Sequence, residues 1–177
     1  RTKVGWWKNG YPEYFAKVLN AVNWIGIGIT LDGNELDLNE VDILSFSREL
    51  NMKEGYLLRK TLIMTDVGTF EIQSKRFCSI VKREIGAIEY SISSRDFNGV
   101  INIKPYLDFD VTNKDSNYDE KFWDAISEDV HMNEGYVVSQ TRKTAYRVGT
   151  GMLYDIFIND TKQDISPYAT KKVKYVS

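Results

Sequence analysis

The chain has 177 residues, of which 42% are hydrophobic and 27% charged, and its net charge is −2. That balance belongs to an ordinary globular protein long enough to bury a core, and it lacks the basic excess that nucleic-acid binding requires. A single cysteine (Cys78) and a single histidine (His131) exclude an internal disulfide and a zinc site of Cys/His type.

No apolar run approaches the ~20 residues of a membrane span and no signal peptide opens the chain, so the expectation is a cytoplasmic protein without a membrane partner. Pro12, then Phe15, Val18, Leu19 and Val22, has the spacing of one helical face and predicts a short helix over 12–22. Trp24 to Leu31 reads as a strand, and Asp32-Gly33 as a type I′ hairpin turn with a return strand beginning over Leu36 to Leu38. Val41 to Leu50 is another candidate strand. Gly55 to Thr65 and Phe70 to Phe77 follow, joined by a turn at Asp66-Val67-Gly68.

Ile88, Tyr90 and Ile92, then Ile101 and Ile103, alternate with polar residues, and Tyr154, Ile156 and Ile158 repeat the habit. Such alternation buries one face and wets the other, as antiparallel sheets do. From Leu107 to Ser127 the pattern breaks into an acidic connection, where Phe122, Trp123 and Ile126 predict a short helix near 119–127. The expected fold is mainly all-β: an antiparallel β-sandwich or barrel, read as one domain over 1–177.

Most candidate motifs fail on spacing. Gly26-Ile27-Gly28 is followed by Leu31 where a dinucleotide loop needs glycine, so these read as strand glycines that allow close packing. Asp108-Phe109-Asp110 opens like a calcium loop, but Asn113 and Asp119 stand where Gly and Glu are required. Acids are plentiful, yet no pair stands out as general acid and base, and the catalytic and metal assignments are none. Asn159-Asp160-Thr161 is a formal glycosylation sequon, without meaning in a cytoplasmic protein.

The aromatic opening is more informative. Trp6, Trp7, Tyr11, Tyr14 and Phe15 are interleaved with Lys8, Asn9 and Glu13, flat faces beside hydrogen-bonding groups. That combination suits a sugar ring, and equally a packed interface, where Trp and Tyr are enriched. Trp6, Trp7, Lys8, Asn9 and Tyr11, together with Trp123, are the candidate carbohydrate or domain-interface residues.

Thr2 to Phe15, running on to Asn20-Ala21-Val22-Asn23-Trp24, resembles the matching stretch of the maltose phosphorylases in glycoside hydrolase family 65. Leu50 to Gly55 with Arg59 is similar to a family segment, as are Arg76-Phe77 and Ser79, and Asp110 to Asn113 with Asn117 to Asp124 is similar to its acidic loop. The resemblance implies a sandwich of the galactose-mutarotase-like super-sandwich type, placed ahead of an (α/α)6-barrel. In such enzymes the barrel holds the general-acid Glu and the phosphate site, and maltose is phosphorolysed with inversion to β-glucose 1-phosphate and glucose. It implies no cofactor, inorganic phosphate being a substrate of the whole enzyme.

The implied partners are the catalytic barrel of the same polypeptide, a second copy in a homodimer, and a possible sugar ligand. The implied role is non-catalytic support of the active-site mouth and of dimerisation. The start at Arg1 and the stop after Val173–Ser177 in a strand-like run are expected to be cuts in a longer polypeptide. Two other readings stand beside this one: an independent carbohydrate-binding module, and a small sugar-converting enzyme of epimerase type. The epimerase would want more than the one imidazole of His131.

Overall fold

The computed structural model describes residues 19–112 and 121–164 and the backbone of Tyr175–Val176. Among the described residues all helix or strand is strand: β1 Asn23–Leu31, β2 Asn34–Glu35, β3 Asp42–Asn51, β4 Tyr56–Thr65, β5 Gly68–Cys78, β6 Gly86–Ser94, β7 Ile101–Asp108, β8 Trp123–His131, β9 Glu134–Thr141, β10 Arg147–Leu153, β11 Phe157–Ile158, β12 Thr161–Lys162 and β13 Tyr175–Val176. The all-β expectation holds, and neighbouring strands pair antiparallel in β1–β2, β3 to β6, β8 to β10, β11–β12 and β7–β13. The chain falls into two compact units, one made of 28–103 and one of 1–27 with 104–177.

In the unit of 28–103, β1 turns into β2 through Asp32 and Gly33, both at positive φ, of 48° and 87°. This is the I′ geometry that Asp-Gly favours, because its twist matches that of the flanking strands. The return strand occupies Asn34–Glu35, earlier than Leu36 to Leu38. Asp32 is then held in place, its Oδ1 accepting the Val100 amide at 2.7 Å.

The rest of this unit is a meander, β3-β4-β5-β6, in sheet order as in sequence. Its register runs in rows straight across four strands, so each row belongs to one face. Phe46, Thr61, Ile72 and Ile92 form one row, and Ile63 pairs with Phe70 in the next. Thr61, Ile63, Phe70 and Ile72 are buried, and the Phe97 ring packs 5.1 Å from that of Phe70. Below those rows the same face continues out of the core, towards Leu50, Leu57 and Ile88.

In the other unit, Val22, Leu107, Phe109 and Val137 form a core against which Trp24, Val130 and Met152 pack. They come from β1, β7 and the residues directly flanking them (Val22, Phe109) on one side and from the sheet β8-β9-β10 on the other, two layers face to face as in a sandwich. β9 is its central strand, and Gly135, Val137, Ser139 and Thr141 are all buried along one face. Gly26 serves this unit by having no side chain: a Cβ there would lie 2.3 Å from the Tyr106 ring. The expectation of strand glycines allowing close packing is met at this position.

Of the two helical expectations one is corrected and the other falls largely outside the described residues. Residues 12–18 lie outside the described ones, but 19–22 carry no helix and β1 begins at Asn23. Trp123 to Ser127 belong to β8, a strand, with 119–120 outside the described residues. A bulge between Ala125 and Ser127 leaves Ile126 without a partner in β9. One extra residue shifts the apolar positions off a period of two, and Phe122, Trp123 and Ile126 then imitate helical spacing.

The late alternation is corrected as well. Strand β10 stops at Leu153, the Tyr154 amide donates to the Asn133 carbonyl, and only Phe157–Ile158 pair, with Thr161–Lys162. Asn159 and Asp160 sit at φ 47° and 63°, so two of the three residues of the sequon form the tight turn of this small hairpin.

Candidate functional site

Trp6, Trp7, Lys8, Asn9 and Tyr11 lie outside the described residues; Trp123 lies within them. Trp123 opens β8 and is half-buried, and its indole Nε1 donates to the Asn20 carbonyl at 2.7 Å. Asn20 in turn donates from its side-chain amide to the Thr112 carbonyl at 3.3 Å. The neighbouring Phe122 is buried, its carbonyl accepting the Arg142 amide, and Arg142 grips Asp124 Oδ1 through Nε at 2.9 Å and Nη2 at 2.7 Å. This corner therefore ties the run leading into β1 to the start of β8. The Trp123 N–H is spent on backbone, which leaves the ring rather than the donor to offer a ligand or a neighbour.

Acids gather in two places among the described residues. Glu35, Asp37, Glu40, Asp42 and Asp66 line a cleft in the unit of 28–103, with Leu31 and Met64 as its apolar wall. Asp37 there accepts both the backbone and side-chain N–H of Asn39, at 2.8 and 2.7 Å. In the other unit, Asp129, His131, Glu134 and Tyr136 line a groove with Val130 and Met152. His131 and Glu134 are paired across the β8–β9 turn. Among the described residues, no group of three or more His, Cys, Asp or Glu could hold a metal ion. The would-be calcium residues are used locally: Asp108 Oδ1 accepts the Asp110 amide at 2.9 Å, and Asp110 pairs with Lys121.

The groups whose acidity is shifted mark structure. The Asp96 carboxyl is held below its ordinary range by the Ser94 hydroxyl 2.8 Å away and by the Thr69 amide at 3.0 Å, a latch across the β5–β6 pair. Burial pushes the Tyr90 phenol up, with the Arg59 guanidinium pulling it partly back. Burial likewise raises Tyr154. Arg59 shares a row of the β3–β6 sheet with Arg48 and Tyr90, a grouping which sequence reading did not single out. Its residues are far apart in sequence, and only the strand register brings them together.

Similarity to known proteins supplies what these surfaces do not. The description "Glycosyl hydrolase family 65, N-terminal domain" matches residues 1–176. The chain is 40% identical over 162 residues to the maltose phosphorylase of Bacillus subtilis (strain 168), covering 92% of this chain and 21% of that protein. It is 28% identical over 172 residues to the alpha,alpha-trehalose phosphorylase of Thermoanaerobacter brockii, covering 88% of this chain and 22% of that one. The solved structure of a putative kojibiose phosphorylase from human microbiome superposes with a TM-score of 0.74 at 23% identity, over 89% of this chain and 19% of that one, a likeness of fold.

The chain thus spans about a fifth of the length of the relatives it matches. No helix among the described residues is long and apolar enough to cross a membrane. The match over residues 1–176, with which the two-layered β core agrees, shows that the chain belongs to glycosyl hydrolase family 65, as its N-terminal domain.

Proposed function

We propose that this chain is the non-catalytic N-terminal domain of a maltose phosphorylase. The whole enzyme would transfer glucose from maltose to inorganic phosphate with inversion, giving β-glucose 1-phosphate and free glucose. Phosphate takes the place of the attacking water, so the protein must supply one general acid and no second carboxylate. That acid belongs to the catalytic barrel. The domain described here packs beside it, helps shape the mouth of the active site and supports dimerisation.

The carrying observation is the 40% identity to a maltose phosphorylase over 92% of this chain. Identity falls to 34% over 98 residues for the kojibiose phosphorylase of Caldanaerobacter subterraneus subsp. tengcongensis, and to 28% for the trehalose enzyme. That gradient supports maltose over the other disaccharides. The scatter of acids over separate clefts supports an inactive domain.

The test is an assay of the 177-residue chain with maltose and inorganic phosphate, reading glucose and β-glucose 1-phosphate. Neither product should accumulate above the protein-free control. Phosphate-dependent release of both would end the non-catalytic reading. In a polypeptide that carries this domain ahead of its barrel, maltose should give the higher kcat/KM against kojibiose and trehalose, and the reverse order would overturn the choice of substrate.

A further inference from the structure

The two faces of the β3–β6 meander differ in charge, and the strand register shows how. Two adjacent rows on one face read Arg48, Arg59, Ser74, Tyr90 and Leu50, Leu57, Arg76, Ile88. Adding the rows already described, that face carries three arginines and no acid. The reverse face of the same strands carries Lys60 and Lys75 against Asp42, Glu49, Glu71 and Glu89. Lys75 there pairs with Glu89 directly across β5 and β6. One face is mixed in charge; the other is purely cationic.

The arrangement on the cationic face is costly by itself. Arg48 and Arg59 stand directly opposite each other, where side chains of like charge repel at close range. No ion pair is formed by Arg48, Arg59 or Arg76 among the described residues. Arg48 lies over the Phe46 ring at 5.5 Å instead. Apolar groups border these cations: Phe46 is 51% exposed and Leu50 63%. A free inorganic anion would gain nothing from those apolar side chains, whereas a protein surface would cover them while its carboxylates meet the guanidinium forks.

We infer that this face is a docking surface for a protein segment that presents carboxylates among apolar side chains. Arg48 and Arg59 would share a carboxylate between them, Arg76 would take a second, and Leu50, Leu57 and Phe46 would supply the dry contact. The inference rests on register and charge, and stands whether or not the phosphorylase reading does.

The probe is a labelled helix-forming peptide with Glu and Leu on one face, titrated against the 177-residue chain by fluorescence anisotropy. The expected result is saturable binding, weakened about tenfold by Arg48→Gln or Arg59→Gln and restored in part by Arg48→Lys. Lys60→Gln on the reverse face should leave it unchanged. A peptide with Lys in place of Glu should not bind, and inorganic phosphate should not displace the acidic one.

The free chain gives a second reading that does not depend on any ligand. Relief of the Arg48–Arg59 repulsion should raise or hold the melting temperature of Arg48→Gln. No binding of the acidic peptide, binding by the Arg48→Gln and Arg59→Gln variants as tight as by the unsubstituted chain, or displacement by phosphate would each overturn the proposal. So would a marked fall in melting temperature for Arg48→Gln, which would make this arginine a structural element of the sheet.

Discussion

Gly26 offers a sharp test of the packing described for β1. A methyl group there would meet three atoms of the Tyr106 side chain, Cζ, Cε2 and the hydroxyl oxygen, at 2.3, 2.4 and 2.8 Å. These lie well inside van der Waals contact, so Gly26→Ala must push the ring aside. Overpacking of this kind costs about 1–3 kcal/mol, while replacing a strand glycine by alanine returns about 0.4–1 kcal/mol through the unfolded chain. The net loss should be about 1–2 kcal/mol, or about 2–8 °C in Tm for a chain of this size.

Gly149 in β10 is the control, because a Cβ there meets nothing within 4 Å. Gly149→Ala should keep the favourable chain-entropy effect and lose nothing. Thermal unfolding followed by circular dichroism would measure both variants. A third comparison isolates the contact: in a Tyr106→Ala background the space is free, and adding Gly26→Ala should cost nothing further. If Gly26→Ala melts with Gly149→Ala, or if its cost persists without the Tyr106 ring, the close-packing account of this glycine is wrong.

Other consequences follow from single groups. The buried Thr61 hydroxyl has no hydrogen-bond partner among the described residues, so Thr61→Val should stabilise the chain by about 1 kcal/mol, measured by urea midpoint. Met132 sits at φ 51° in the β8–β9 turn, a region costly for most side chains but tolerated by asparagine, so Met132→Asn should gain about 0.5–1 kcal/mol in the same assay.

Asp96 is more acidic in the fold than its ordinary value of 3.8, so the unfolded chain takes up its proton first. Its stabilising effect is therefore complete above that ordinary value and vanishes as pH falls through the lower folded value. Asp96→Asn should flatten this acid limb of a stability–pH profile while leaving its shape above pH ~5 unchanged. An unaltered acid limb would remove Asp96 as its cause.

Much of the fold is written in local pattern. Asp32-Gly33 names its own turn, and the alternation in β6 and over Phe70 to Gln73 of β5 is plain because one face meets the core. The sheet β8-β9-β10 is harder to read. Its central strand hides Ser139 and Thr141 beside Val137, so polar side chains stand at buried positions and blur the alternation. The bulge in β8 adds a residue that only the partner strand reveals.

The site was less legible than the fold. The aromatic opening stands out in sequence, but its five candidates lie outside the described residues, and Trp123 proves to be tied to backbone. Arg59 and Arg76 entered the sequence reading only through the family resemblance, and nothing there grouped them with Arg48, since the three are set side by side by two hairpins and a register. A one-residue slip of β4 would carry Arg59 to the reverse face and place Lys60 or Leu58 beside Arg48.

Strand β3 has one further implication. It is the outermost strand of its described sheet, and every residue from Asp42 to Leu50 is exposed, Ile43, Leu44 and Phe46 included. An outermost strand of ten residues offers a template on which a foreign strand can grow. What guards it is modest: the kink between Ile43 and Ser45, and the charges of Asp42, Arg48 and Glu49. Colloidal behaviour of the isolated chain would thus hang on a handful of side chains along one rim, whatever the stability of the core behind it.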